Sequence, residues 1–205
     1  NCTSVGRGGA IFLQDNDNIT FDNCRFENNT AFGVANNTWE DFTKDRNDSV
    51  PSTKVNQSLT GHGGAIAFDV NATNGVIKNS TFILNNAYRS GGAVYFYEGA
   101  SDARILDSHF INNSATNHTL EFSDENQGGA LYVHGDNTVI DRCDFTNHSS
   151  KSEGGAIYVN GENTLIGNST FDNNTSWDDG GAITWTGNYG GIYNITCLNN
   201  SATGN

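Results

Sequence analysis

One tripeptide, Gly-Gly-Ala, recurs six times along the chain, beginning at residues 8, 63, 91, 128, 154 and 180. Successive starting positions differ by 55, 28, 37, 26 and 26 residues, so the basic unit has 26 residues. The first and third intervals are longer, which indicates insertions in those units. A fixed period of this length is typical of a solenoid, in which each unit buries its apolar face only against its neighbours.

A second landmark, Phe-x-x-Asn or a variant of it, follows each Gly-Gly-Ala after 17 to 19 residues. The aromatic position is occupied by Phe26, Phe82, Phe110, Phe145, Phe171 and Cys197. The position three residues later is occupied by Asn29, Asn85, Asn113, His148, Asn174 and Asn200. The two landmarks together define columns of equivalent residues, from which only Cys197 and His148 depart.

Three short strands fit each unit: one after Gly-Gly-Ala, one in the middle, and one that contains the Phe. Strands this short are unstable alone, but stacking equivalent strands at about 4.8 Å pairs their backbones. The apolar columns then form a continuous core, and Asn suits the left-handed corners between strands. The sequence therefore predicts an all-β, right-handed parallel β-helix of about six coils, with insertions at one corner. We expect residues 1–205 to form a single β-helix domain, a fragment of a larger surface protein.

The paired landmarks resemble the Gly-Gly-Ala-Ile and Phe-x-x-Asn repeats of the chlamydial polymorphic outer-membrane proteins. They also resemble the β-helical adhesin-like proteins of methanogenic archaea, which are Asn-rich and acidic. The resemblance extends over all six units. It implies surface display and adhesion, and hence an extracellular location at the cell surface.

The formal net charge of −13 limits the partners that the chain can have. Nucleic acid and anionic lipid both require a basic footprint. No apolar run approaches the length of a membrane span. We therefore expect no nucleic acid partner and no direct insertion of this segment into a membrane.

The insertions, at residues 32–61 and 116–126, both precede a Gly-Gly-Ala and so lie at the same corner. Insertions on one face of a solenoid often mark a binding surface. The longer insertion contains Trp39 and Phe42, which we name as candidate ligand-binding residues. The alternative is a loop that the fold merely tolerates.

An aromatic row is predicted on the outer face of the first strand of each unit. Tyr95, Tyr132 and Tyr158 occupy one outward column, and the neighbouring column contains Tyr97, His134 and Asn160. Exposed aromatic rings flanked by polar groups suit sugars, whose C–H faces pack on the rings. The alternative is that tyrosine is simply a good strand residue whose neighbours stack for stability.

Acidic residues recur at the corner that precedes Gly-Gly-Ala. Carboxylates clustered there have the chemistry to bind Ca²⁺, although we expect no obligatory cofactor. A pair of them also has the chemistry for glycoside hydrolysis. The alternative is a solvated acidic edge. The residues concerned are Asp124, Glu125, Glu153, Asp178 and Asp179.

Cysteine, histidine and asparagine side chains elsewhere in the chain could also form disulfides, act in catalysis or carry glycans. No two of the four cysteines fall in one column on adjacent coils, so the register predicts small, buried, free thiols. His109 and Asp144 fall in one outward column on neighbouring coils, but no nucleophile accompanies them. Asn-x-Ser/Thr sequons are abundant, so a glycoprotein is also expected. Examples are Asn18, Asn71, Asn117 and Asn194.

The predicted function is a non-catalytic cell-surface adhesin segment: a rigid rod that presents loops and an aromatic strip. Its expected partner is a surface glycan or protein on another cell, of host or microbial origin. The alternative is a polysaccharide lyase or glycoside hydrolase of the pectin-lyase-like class. That alternative depends on fold analogy alone.

Overall fold

The computed structural model describes residues 1–33, 61–116 and 126–204. Within these ranges the chain forms short parallel strands and turns, with no helix. The strands stack into four parallel sheets that wind through six coils of a right-handed parallel β-helix, as the sequence predicts. Each coil visits sheets I, II, III and IV in that order, and β1 precedes the first coil.

The four sheets are continuous along the stack, and every pair of neighbouring strands is parallel. Sheet I contains β2 (Ile11–Leu13), β6 (Ile66–Phe68), β10 (Val94–Phe96), β14 (Leu131–Val133), β18 (Ile157–Val159) and β22 (Ile183–Trp185). Sheet II contains β3 (Thr20–Asp22), β7 (Val76–Lys78), β11 (Arg104–Leu106), β15 (Val139–Asp141), β19 (Leu165–Gly167) and β23 (Gly191–Tyr193).

Sheet III contains β4 (Arg25–Glu27), β8 (Thr81–Ile83), β12 (His109–Ile111), β16 (Asp144–Thr146), β20 (Thr170–Asp172) and β24 (Thr196–Leu198). Sheet IV consists of two-residue strands, which the sequence did not predict. They are β1 (Thr3–Ser4), β5 (Thr30–Ala31), β9 (Asn86–Ala87), β13 (Ser114–Ala115), β17 (Ser149–Ser150), β21 (Thr175–Ser176) and β25 (Ser201–Ala202). Each coil therefore has four strands and not three.

The columns predicted from the landmarks are real. Phe82 stacks on Phe110 with 4.8 Å between ring centroids, and the Phe145 and Phe171 rings continue the stack at 4.9 Å per step. The inward columns of sheets I and II complete one apolar core along the coil axis. Fully buried members of those columns are Ile66, Ile77, Ile105, Leu131, Ile140 and Ile157.

Left-handed backbone conformations mark the corners between sheets. Asparagine and aspartate dominate these positions because their short side chains tolerate a positive φ and form local hydrogen bonds. The corner between sheets II and III uses Asn23, Asn79, Asp107, Arg142, Asn168 and Asn194. The corner between sheets III and IV uses Asn28, Leu84, Asn112, Asn147, Asn173 and Asn199.

Gly-Gly-Ala forms the corner between sheets IV and I. The first glycine adopts a positive φ, as Gly128 does at 67°. The second glycine lies where the backbones of neighbouring coils approach closely: a Cβ at Gly129 would overlap the carbonyl oxygen of Gly155. The two glycines of each unit are therefore required for different reasons, and the alanine that follows is buried in the core in coils 2 to 5.

Candidate functional site

The three tyrosines predicted to stack on the outer face of sheet I do so. The Tyr95 and Tyr132 ring centroids are 4.9 Å apart, and those of Tyr132 and Tyr158 are 5.3 Å apart. The rings are nearly parallel, with interplanar angles of 17° and 10°. In-register pairing of β10, β14 and β18 causes this, because it places equivalent residues one above the other. We call these three residues the tyrosine stack.

The expectation that this stack is exposed is wrong. Tyr95 and Tyr158 are only 5% and 8% exposed, and Tyr132 is half-buried. Neighbouring side chains pack against both ends of the stack: the His62 and Tyr95 ring centroids are 4.4 Å apart, and the Thr186 hydroxyl lies 3.4 Å from the Tyr158 hydroxyl. The flat faces that a sugar would need are occupied by the neighbouring tyrosines.

Burial also changes the acidity of these phenols. Removal from water raises the pKa of Tyr132 to about 12, and the neighbouring Tyr158 phenol contributes to the shift. The pKa of Tyr95 is raised further by the same cause. Both groups are therefore neutral hydrogen-bonding groups over the whole physiological pH range.

Tyr97 lies beside the stack and is more accessible. Its ring is half-buried, and the Arg7 guanidinium carbon lies 5.2 Å from the ring centroid. Arg7 also forms an ion pair with Asp69, which is buried. The His134 ring packs edge-on at 6.4 Å from Tyr97 and 6.2 Å from Tyr132. Tyr97 and His134 thus connect the tyrosine stack to the end of sheet I.

A polar concavity of about 350 Å³ opens at that end, where sheet I turns towards sheet II. It extends over coils 3 to 6, so it is a groove that runs along the coil axis. Two of the candidate binding residues, His134 and Asn160, line it. The complete lining, which we call the sheet I groove, is Glu98, Gly99, His134, Asp136, Asn160, Glu162, Thr186, Gly187 and Asn188.

Glycines beside this groove let adjacent coils approach closely. A Cβ at Gly135 would overlap the carbonyl oxygen of Ala100, and one at Gly161 would overlap that of Gly135. A Cβ at Gly187 would likewise overlap the carbonyl oxygen of Gly161. Because these positions carry no side chain, the backbones of adjacent coils lie close together, and the polar residues on either side stand above them.

The hydrogen bonds in the groove fix some groups and leave others available. The Asp136 carboxylate accepts from the Glu162 backbone N–H at 2.8 Å, and the Thr186 hydroxyl donates to Asn160 Oδ1 at 3.1 Å. The groove contains the carboxylates of Glu98, Asp136 and Glu162, and no lysine or arginine is among its lining residues. Its chemistry is that of a hydrogen-bonding surface for neutral or cationic polyhydroxyl ligands.

A second concavity, of about 520 Å³, lies at the corner that precedes Gly-Gly-Ala. Glu153, Asp178 and Asp179 line it together, as the sequence predicts for successive coils. Glu153 accepts from Gln127 Nε2 at 2.8 Å, and the Ser152 hydroxyl donates to Asp178 at 3.4 Å.

The metal hypothesis has no support from this arrangement. Within residues 1–33, 61–116 and 126–204, no group of three or more His, Cys, Asp or Glu side chains is placed to hold a metal ion. Two members of the predicted set, Asp124 and Glu125, lie outside the described residues. So do the candidate binding residues Trp39 and Phe42, the sequon Asn117, and most of the 32–61 and 116–126 insertions.

The remaining side-chain predictions have clear outcomes. His109 Nδ1 lies 2.9 Å from Asp144 Oδ2, so the outward pair exists, with both side chains more than half exposed. All four cysteines are free, as the register predicts, but the prediction that they are buried is wrong for Cys2, Cys24 and Cys197. Only Cys143 is buried, and burial raises the pKa of its thiol to about 12, so it is an unreactive core residue.

The groove carboxylates were not found by the sequence reasoning. The signal was present: Gly135-Asp136, Gly161-Glu162 and Gly187-Asn188 repeat two residues after the end of the last three sheet I strands. The acidic residues around Glu153 are easier to recognise in the sequence, because they directly precede Gly-Gly-Ala. The three dipeptides that begin with glycine lie between the landmarks, where no conspicuous motif marks them.

Comparison with known proteins gives one similarity. The sequence model of the Chlamydia polymorphic membrane protein repeat matches residues 23–69, under a quarter of the chain. No curated protein and no solved structure matches the chain. The matched segment extends from the Phe-x-x-Asn strand of coil 1 through the Gly-Gly-Ala of coil 2.

The match and the fold agree with each other. Stacked parallel strands and a polymorphic membrane protein repeat together fit a surface protein of the parallel β-helix kind. At this coarse level they support an adhesin-like protein at the cell surface. They give no test of the resemblance to the methanogen proteins. Across the part of the chain that the structure describes, no helix is long and apolar enough to cross a membrane.

Proposed function

We propose that this chain is a non-catalytic adhesin segment and that its sheet I groove binds glycans displayed on another cell. The observation that carries the proposal is the position of the groove. Polar side chains from four successive coils converge on one concavity, and His134 joins it to the half-buried ring of Tyr97. An aromatic ring beside a few convergent polar groups is the usual composition of a sugar site.

The rod supplies what such a site needs. Binding residues held on in-register strands lose little conformational freedom when a ligand arrives, so less binding energy is lost to ordering. The repeat also presents similar groups at each coil, which suits a polymer of similar units. Protein ligands on host or microbial cells are the alternative class of partner.

The structure changes the roles that we assign to the candidate binding residues. Tyr95 and Tyr158 are buried and support the outer face of sheet I. His134, Asn160 and the accessible edge of Tyr97 are the groups that we expect to contact ligand. The contribution of Trp39 and Phe42 remains a prediction from the sequence, and so does glycosylation at exposed corners such as Asn71 and Asn194.

A glycan array with the wild-type chain tests the proposal. We expect binding that falls at least tenfold in His134→Ala and Asn160→Ala. The matched control is His109→Ala, which removes an outward histidine from sheet III and should leave binding unchanged. Equal binding by all four proteins would exclude the groove, and absence of binding by the wild-type chain would count against a glycan ligand.

The second candidate is a polysaccharide hydrolase or lyase, and the observation that favours it is the meeting of Glu153, Asp178 and Asp179 around one concavity. Two carboxylates there would have to act as acid and base. Incubation with the polysaccharides that bind, followed by an assay for released reducing ends, separates the candidates. The adhesin hypothesis predicts no release, whereas release that is lost in Glu153→Gln or Asp179→Asn would establish the enzyme.

A further inference from the structure

A column of polar side chains runs inside the corner between sheets III and IV. All of its members in coils 1 to 5 are buried, four of them with exposures of 0 to 1%. Buried polar groups of this kind are stable only when each one is hydrogen-bonded. We call this column the ladder, and it consists of Asn29, Asn85, Asn113, His148, Asn174 and Asn200.

Four of the five asparagines of the ladder, all except Asn29, connect their coil to the preceding one in the same way. Asn113 shows the pattern: its Oδ1 accepts from the Asn85 backbone N–H at 2.9 Å, and its Nδ2 donates to the Phe82 carbonyl at 2.9 Å. Asn174 and Asn200 repeat the arrangement two and three coils further on. An amide is suited to this task because it offers an acceptor and a donor side by side.

His148 occupies the ladder in coil 4 and reproduces the amide with its ring. Its Nδ1 accepts from the Asn113 backbone N–H at 3.0 Å, and its Nε2 lies 3.1 Å from the Phe110 carbonyl oxygen. Only the neutral tautomer with a proton on Nε2 satisfies both contacts. We therefore assign that tautomer, in which Nδ1 replaces the amide oxygen and Nε2–H replaces the amide nitrogen.

The replacement is incomplete, because a neutral imidazole has one donor whereas an amide has two. Each asparagine that precedes another asparagine in the ladder also donates from Nδ2 to the next Oδ1. Asn85 does so to Asn113 at 2.9 Å, and Asn174 to Asn200 at 2.8 Å. No such bond joins His148 to Asn113 or Asn174 among the hydrogen bonds of the described residues, so coils 3, 4 and 5 are joined less tightly there.

Protonation would disturb this arrangement further. A proton on Nδ1 converts the acceptor for the Asn113 N–H into a second donor. The Asn113 carbonyl, 3.3 Å from Nδ1, would accept the new proton, but the Asn113 N–H would be left without its partner. The free energy lost by burying the positive charge exceeds the free energy gained from hydrogen bonds to the Asn113 and Phe110 carbonyls. Burial therefore lowers the pKa of His148 to about 3.

Among the residues that the structure describes, no charged group faces the imidazole to offset that cost. Sheet III contributes the Phe110 carbonyl from β12 and the Phe145 ring from β16. The ladder contributes Asn113 from coil 3 and Asn174 from coil 5. The titratable residues that begin β12 and β16, His109 and Asp144, are exposed on the outer face of sheet III.

We propose that His148 is an acid-sensitive joint in the rod, at which proton uptake breaks the ladder between coils 3 and 4. Above the pKa of an unfolded histidine, near 6.5, the neutral ring holds the two coils together. Below it, the unfolded or opened chain binds a proton that the native ladder excludes. Stability is then lost progressively until the native pKa is reached. The joint is independent of the glycan site.

The variant His148→Asn restores the amide and removes the titrating group. From about pH 7.5 to about pH 4.5, the unfolding constant of the wild-type chain should rise about 100-fold more than that of His148→Asn. Urea unfolding of both proteins at the two pH values gives this ratio. The acidic side chains contribute equally to both proteins, so the comparison isolates position 148.

Hydrogen exchange tests the location of the opening. The Asn113 backbone N–H donates to His148 Nδ1, and the Asn85 backbone N–H donates to Asn113 Oδ1. The two backbone amides are therefore matched in bonding and differ only in the acceptor. On acidification, we expect the protection of the Asn113 backbone N–H from hydrogen exchange to fall before that of the Asn85 backbone N–H in the wild-type chain, and to persist in His148→Asn.

Nuclear magnetic resonance of the wild-type ring tests the joint without a variant. The proposal predicts neutral, Nε2-protonated His148 signals that do not titrate between about pH 7.5 and about pH 4.5. A ring that titrates near pH 6.5, or equal acid sensitivity in wild type and His148→Asn, would overturn the proposal. If His148→Asn does not fold, His148→Gln, which also carries an amide, replaces it in the comparison.

Discussion

Single residues at the corners determine whether a coil closes, and Leu84 is the least suited of them. It adopts a φ of 54° with its side chain 46% exposed. All five other coils place an exposed asparagine of equivalent conformation there, among them Asn112 and Asn147. A left-handed conformation costs most side chains roughly 1–2 kcal/mol, and asparagine less.

Leu84→Asn should therefore stabilise the chain by about 1 kcal/mol, because it relieves backbone strain and removes little buried apolar surface. Urea unfolding at neutral pH measures the change. Asn112→Leu is the reciprocal variant and should destabilise by a similar amount. If Leu84→Asn lowers the unfolding midpoint, strain at this corner is not the governing factor.

The second glycine of Gly-Gly-Ala gives another prediction at this scale. Gly129→Ala should destabilise by about 3 kcal/mol, since the new Cβ would overlap backbone atoms of Gly155 and Ser149 on neighbouring strands. Gly6→Ala is the control, because the nearest side-chain atom there is Ser4 Oγ at 3.6 Å. Thermal unfolding of the two variants should differ clearly, and similar melting temperatures would contradict the steric argument.

At the scale of strands and sheets, the sequence predicts the columns well and the surfaces poorly. The Phe column was predictable because a core position repeats in size and chemistry from coil to coil. Sheet IV was not, because strands such as Thr30–Ala31 and Ser149–Ser150 are too short to show an alternating pattern. Their pairing depends on the strands above and below.

Burial of the tyrosine stack also could not be predicted from the sequence. Periodicity places Tyr95 on the outer face of sheet I, but His62, which covers it, belongs to a different coil. The groove carboxylates were missed for a related reason. A residue such as Glu162 has no distinctive neighbour in the chain, and it becomes part of a site only when coils 3 to 6 are superposed.

The tyrosine stack gives the prediction at this scale. Tyr132 has a native pKa of about 12, above the ordinary value of about 10, so its contribution to stability is complete below pH 10. That contribution is lost as the pH rises from about 10 to about 12. Tyr132→Phe should reduce the alkaline loss of stability, measured by urea unfolding at about pH 9 and about pH 11. An unchanged alkaline response would show that the Tyr132 phenol is not buried in solution.

For the whole molecule, the negative net charge limits the classes of ligand and surface that the chain can bind. Acidic residues outnumber basic ones by 23 to 10, and the three charged residues that line the sheet I groove are all carboxylates. Like charges repel, so anionic polymers and anionic membranes should be excluded. This exclusion favours neutral or amine-bearing glycans among the possible ligands.

The corresponding prediction is that the chain binds neither DNA nor vesicles rich in anionic lipid at physiological salt. Gel-shift and co-sedimentation assays measure this directly. Binding that weakens as salt is added would contradict the prediction, because salt-sensitive binding indicates a basic footprint. A basic protein of similar size serves as the positive control.

Every surface proposed for this chain depends on equivalent residues of successive coils lying one above the other. Paired cysteines measure that register directly, in a variant whose four native cysteines are replaced by serine. Thr170 and Thr196 are paired on adjacent coils, whereas Asp144 and Thr196 are two coils apart. One coil is about 5 Å and within disulfide reach, and two coils are about 10 Å and beyond it. The account predicts an intramolecular disulfide in Thr170→Cys/Thr196→Cys and none in Asp144→Cys/Thr196→Cys. The opposite result, or equal cross-linking of both pairs, would contradict it.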